Sequence, residues 1–201
     1  MCLSQFFGDL SVFQIFISVF ALVTGFITLY KSYWEGARVN AYTTDRVGFV
    51  ISKNGGTTNF QLGINLVNTG VKTGTVHRLE ALVTPPAGEP YRFDWSLFYE
   101  YSRGGYAVEK TTDPHPLSVA GRNSCLIFIQ FAITPTNIPA WPPGRYEFKI
   151  IGWVNRNRRE EKSNLLSIFH IDLSRETALQ LESERPDNPT VVYVPVLEWN
   201  R

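Results

Sequence analysis

Asn59-Phe60-Gln61-Leu62-Gly63-Ile64-Asn65-Leu66-Val67-Asn68 places Phe60, Leu62, Ile64 and Leu66 on one set of alternate positions and Gln61, Gly63 and Asn65 on the other. A period of two belongs to an extended chain with one buried face, the habit of strands in antiparallel sheets. Tyr146, Phe148 and Ile150 repeat the pattern. Working outward, strand-like runs occupy residues 47–52, 76–84, 91–101, 125–134, 146–155 and 165–173. Turn chemistry separates them: Asn54-Gly55-Gly56, Asn68-Thr69-Gly70, Pro85-Pro86-Ala87-Gly88, Gly104-Gly105 and Pro142-Pro143-Gly144. Only residues 174–184 read as a helix within this region. Successive short strands with no helices between them predict a mainly β chain folded as an antiparallel sandwich.

Before the strands lies an uncharged apolar run from Leu10 to Tyr30, as long as a helix needs to cross a bilayer. Asp9 closes one end, while Lys31, Tyr33, Trp34 and Arg38 supply aromatic and basic residues suited to headgroups at the other. There is no basic stretch ahead of it and no small-residue cleavage site behind it, so a retained anchor is expected, not a signal peptide. Ser11, Gln14, Ser18, Ala21, Gly25 and Thr28 recur at gaps of three and four, which aligns them on one stripe of the helix. Small and polar residues on a stripe allow close approach of a second helix, so this face is expected to pack on its own copy or on a partner's span.

The chain of 201 residues thus divides into a short segment (1–9), a membrane helix (10–30), a connector (31–45), a sandwich (46–173) and a short helix with an extended tail (174–201). Its formal charge of +1 gives no polyanion-binding balance, and no nucleic-acid partner is expected. Cys2 and Cys125 fall on opposite sides of the expected span, so no disulfide joins them, and Cys125 reads as a reduced core residue. Lys31, Arg38 and Arg46 follow the span and no basic residue precedes it, which places the domain on the cytoplasmic side of an inner membrane.

The run NTGVKTGTVHRLEALV from Asn68 resembles the turn and strand of bacterial immunoglobulin-like modules. PPGRYEFKIIGW from Pro142 resembles the corner at which their late strand begins, and PLSVAGRNSCLIFIQF from Pro116 the strand before it. The resemblance implies an immunoglobulin-like sandwich. It covers much of residues 59–155 and carries a fold, not an activity.

No catalytic, cofactor or metal constellation is legible. His77, His115 and His170 stand in separate segments, with Asp113 and Glu109 the sole acidic neighbours that a metal at His115 could recruit. No nucleophile elbow or phosphate loop is present. Arg156, Arg158 and Arg159 sit in a charged connection between two strands, exposed to solvent or, if that end faces the bilayer, to anionic lipid. The aromatic run Tyr91, Phe93, Trp95, Phe98, Tyr99 and Tyr101 has rings on both faces, as if a partner covered one of them. At the C-terminus Tyr193, Val194, Leu197 and Trp199 belong to an apolar segment interrupted by Pro195, expected to dock either on the sandwich's own edge or on a partner. The expected function is that of a single-pass, non-enzymatic adaptor or accessory subunit. A membrane effector whose anchors assemble and perturb the bilayer is the alternative, and an enzyme the third reading.

Overall fold

The structure, a computed structural model, describes residues 3–33, 36–51, 57–101, 108–133, 139–154, 164–182 and 190–200. It opens with helix α1, Leu3–Tyr33. Within α1, Phe13–Tyr33 is long and apolar enough to cross a membrane. Its 21 residues span about 32 Å at the helical rise, close to a hydrocarbon core.

Ten strands follow: β1 Val39–Ile51, β2 Asn59–Asn68, β3 Gly74–Thr84, β4 Tyr91–Tyr101, β5 Val108–Thr112, β6 Leu117–Val119, β7 Asn123–Ala132, β8 Gly144–Val154, β9 Asn164–Leu173 and β10 Thr190–Asn200. Helix α2, Arg175–Glu182, lies between the last two, where Ser174 caps it by accepting from the Thr177 amide at 3.1 Å. The fold is mainly β, and every pairing is antiparallel.

The strands hydrogen-bond in the order β5-β4-β7-β2-β1-β10-β9-β8-β3-β6, and β4 pairs again with β3, which closes the sheet into a ring. A sandwich of two separate, free-edged sheets is therefore not what forms. Two half-pairings make closure possible. β10 pairs with β1 through residues 190–195 and then with β9 through residues 196–200, shifting register after Val196. On the other side β3 and β4 pair only over Glu80–Val83 and Tyr91–Asp94, then diverge, and β6 and β5 occupy the edges they vacate.

β1 begins at Val39, inside the stretch read as a connector. Val39, Ala41 and Thr43 face inward in phase with Val47, Phe49 and Ile51, but the register slips between Thr43 and Val47. The irregular Thr44-Asp45-Arg46 interrupts an otherwise alternating strand.

The interior is aromatic. Phe60 lies at its centre, with ring centroids 5.0 Å from Phe93, 5.1 Å from Phe131 and 5.4 Å from Phe148. Truncating such a ring costs about 3–5 kcal/mol. Trp141, almost fully buried, packs edge-on against Phe49 and donates its indole N–H to the Thr57 carbonyl at 2.9 Å. Tyr146 folds back to donate to the Pro142 carbonyl at 2.8 Å, fixing the corner that the Pro-Pro-Gly sequence turns. Gly144 there has φ of 140°, and a side chain on it would strike Pro86.

The rings of β4 are covered in cis. Phe93, Phe98 and Tyr99 are buried, and register shifts after Trp95 and Phe98 explain why a regular alternation put them on two faces. Cys125 is exposed, contrary to the core position expected of it. β4 meets β7 only from Ile129 onward, which leaves the start of β7 without that neighbour, and Leu126 is 56% exposed as well.

Candidate functional site

The turn after β2 organises the end of the ring that carries α1. Asn68 is buried and fully hydrogen-bonded. Its Nδ2 donates to the Lys72 carbonyl at 2.8 Å and the Val119 carbonyl at 3.0 Å. Its Oδ1 accepts from the Arg38 amide at 3.1 Å and the Gly70 amide at 3.0 Å. One amide side chain, using two donors and two acceptor positions, ties together the linker from the helix, the β2–β3 turn and the end of β6.

Backbone contacts tighten the same knot. Thr69 N–H donates to the Arg38 carbonyl, and Arg122 N–H to the Gly70 carbonyl, each at 2.9 Å. A β-carbon at Gly70 would lie 2.0 Å from the Gly36 carbonyl oxygen, and one at Gly121 would lie 1.8 Å from that of Val71. Only glycine admits this approach. Arg122 follows with φ of 56°, a left-handed conformation that L side chains avoid.

The linker is thus fixed to the ring from Gly36, and α1 ends at Tyr33. Three peptide steps reach at most about 11 Å. Alongside the linker, Arg38, Asn40, Thr69, Val154 and Asn164 line an open, mostly polar cleft of about 590 Å³.

The ring's two ends differ in charge. Among the described residues, the segments connecting strands at the helix-bearing end carry Arg38, Lys72 and Arg122, and those at the far end carry Arg175 with Glu89, Glu176 and Glu182. Arg156, Arg158 and Arg159, expected to face solvent or lipid, lie outside the described residues.

The sequence-predicted sites are dispersed. Gln14, Ser18, Ala21, Gly25 and Thr28 are exposed along α1; Ser11 lies on the same helix, its side chain outside the description. Ala21, Gly25 and Thr28 line a shallow groove with Phe20, Thr24 and Leu29. The Ser18 and Thr28 hydroxyls donate to the carbonyls of Gln14 and Thr24, one turn back. In β10, Val194 is buried in the core, which excludes it from a partner contact in the closed ring, whereas Tyr193 and Leu197 are 41% and 49% exposed. Trp199 pairs with Phe169 of β9 through the backbone.

Elsewhere, His115 packs edge-on to Phe98 with centroids 5.0 Å apart, and no group of metal-ligating side chains occurs among the described residues. On the outer face of β3, the buried Glu80 carboxylate pairs with Arg78 and lies 3.8 Å from Arg92. Arg78 also bonds Asp94 at 2.8 Å and lies 5.1 Å from the Trp153 ring centre. This network satisfies its own charges and braces the β3–β4 junction. Sequence reading missed Asn68, Lys72 and Arg122 as parts of one site, because their segments meet only when the ring closes.

No family model matches the chain, and no curated protein matches its sequence. Among solved structures it is similar to the putative ApaA protein from Bordetella pertussis, at 8% identity and a TM-score of 0.42 over 70% of this chain and 98% of that one. It is also similar to Spo0M, a sporulation control protein from Bacillus subtilis, at 8% identity and a TM-score of 0.31 over 69% of this chain and 49% of that one. Likenesses this weak carry no argument about function.

Proposed function

We propose that this protein is a single-pass membrane-anchored interaction protein, an adaptor or accessory subunit that holds its strand ring at the cytoplasmic face of an inner membrane. The observation that carries the reading is the fixed linker: Gly36 is locked against Gly70 only three peptide steps after the apolar helix ends. A ring so held is positioned at the bilayer and is not tethered at a distance. Partners in this reading are the lipid bilayer, a second membrane helix on the stripe through Ser18, Ala21, Gly25 and Thr28, and a protein met by the outward side chains Tyr193 and Leu197. Arg156, Arg158 and Arg159 are assigned to lipid headgroups.

The experiment is extraction from native membranes. The protein should resist alkaline carbonate and co-purify in mild detergent with a larger membrane protein. Release by carbonate defeats the anchor, and isolation alone defeats the adaptor.

The effector reading draws on the groove over Ala21, Gly25 and Thr28, which would let identical helices assemble. Cysteine at Ser18 or Gly25 should then cross-link copies of the chain efficiently, and cysteine at Phe20 or Ile27 poorly. Equal yields around the helix would remove the stripe from both readings.

A further inference from the structure

We propose that the helix-bearing end of the ring is itself a binding surface for anionic lipid, formed by Arg38, Lys72 and Arg122; the proposal rests on the membrane-anchor reading. These exposed residues come from the linker, the β2–β3 turn and the β6–β7 turn, and reach one end only through the ring's topology. The Asn68 side chain bonds the backbone of Arg38 and of Lys72, and Gly70 bonds that of Arg122, so the three cations stand on one braced platform.

Distance makes a bilayer the fitting partner. The linker keeps Gly36, on which Gly70 of this platform packs, within about 11 Å of the helix end, comparable to the screening length of about 8–10 Å at physiological salt. A cation beside the membrane helix senses an anionic leaflet. Each contributes roughly a fivefold factor in favour of the surface. The far end, with its acidic excess, faces away.

Arg122 supplies an independent observation. Its φ of 56° is a left-handed conformation that glycine adopts freely and L side chains avoid. A long exposed cation at such a position is a liability for the ring and an asset on a headgroup surface.

The test uses the full chain carrying Cys2→Ser, Cys125→Ser and Ala120→Cys, labelled with an environment-sensitive fluorophore. It is reconstituted in vesicles of phosphatidylcholine alone or mixed with phosphatidylglycerol, with a quencher on a fraction of the headgroups. Flotation after carbonate treatment establishes insertion first; failure to float overturns the anchor reading and this one with it. In floating protein, quenching is expected to be stronger in anionic vesicles than in neutral ones, and the difference should fade with added salt. A label at Ala87→Cys, on the far end, should stay bright.

Lys72→Gln combined with Arg122→Gly should lower the surface-bound ratio by roughly thirtyfold. Because Arg122→Gly relieves the left-handed backbone, that variant alone should melt no lower than the parent, which separates lost binding from lost folding. If floating protein is quenched equally in both vesicle types, is indifferent to the double substitution, or shows quenching at residue 87 instead, the proposal fails while the anchor stands.

Discussion

Asn68 holds three segments with one side chain, so its removal should be felt well beyond its size. Asn68→Ala strands two carbonyls and two amides in a buried site, each costing about 1–3 kcal/mol where water cannot replace the partner. A fall in melting temperature of roughly 5–10 °C is expected, measured by circular dichroism in detergent. Asn68→Asp sets a carboxylate oxygen against the Lys72 and Val119 carbonyls in this buried site, and should melt no higher than Asn68→Ala. Tyr146 gives the fold a pH dependence of its own. Burial, and then the nearby Tyr91 and Glu182, push its hydroxyl well above the ordinary value of 10.0. A raised folded-state value means that the folded chain holds this proton more tightly than the unfolded chain does. The stabilisation is therefore complete below pH 10 and is lost as pH rises beyond it, by up to about 1.4 kcal/mol per pH unit. Tyr146→Phe should cost about 1 kcal/mol at neutral pH and flatten the alkaline limb of the stability curve. An unchanged alkaline limb would show that other groups govern it.

Among the elements, β10 matters most for closure. It occupies the gap between β1 and β9, with Val194 in the core and Val192 and Val196 packed against it. Deleting residues 191–201 should abolish the cooperative melting transition; a truncated domain that melts as before would show that the ring stands without its last strand. Much at this scale was legible. The alternation of Phe60 to Leu66 and Tyr146 to Ile150 gave β2 and β8, and the apolar run gave α1. Residues 174–184 read as a helix, and α2 forms within them. What escaped has physical causes. The polar Asn40 to Arg46 stretch conceals the first half of β1, because its inward residues are small and the alternation is broken by a bulge. Cys125 reads as core from its neighbours along the chain, whereas its exposure is set by where β4 leaves β7. The antiparallel pairs were legible strand by strand, but ring closure depends on β10 and the β3–β4 hairpin each serving two neighbours, and local sequence does not encode that sharing.

At the scale of the molecule, a more basic end beside the helix and a more acidic end away from it run in the same direction as the charge asymmetry from which a cytoplasmic domain is expected. Protease added to intact spheroplasts should leave the domain uncut, and cleave it once they are lysed. Digestion of intact cells would place the ring outside. The basic platform could not be recognised from sequence because Arg38, Lys72 and Arg122 are separated by tens of residues and are brought together by Asn68 and two glycines.

The position of β10 also sets a timetable. β1 is made early, and its partner β10 follows only after the eight other described strands. While translation continues, the apolar helix can already be in the membrane, yet β1 and β9 must wait with hydrogen-bonding edges unmatched. Such distant pairing is slow to form and open to mispairing meanwhile. Closure of the ring therefore waits until β10 has been made, and until then truncated chains and neighbouring nascent copies can compete for the same open edges. A reporter fused after residue 201 would emerge beside the helix and crowd the closing strand, whereas one inserted in the 85–90 turn would sit at the opposite pole and leave closure unhindered.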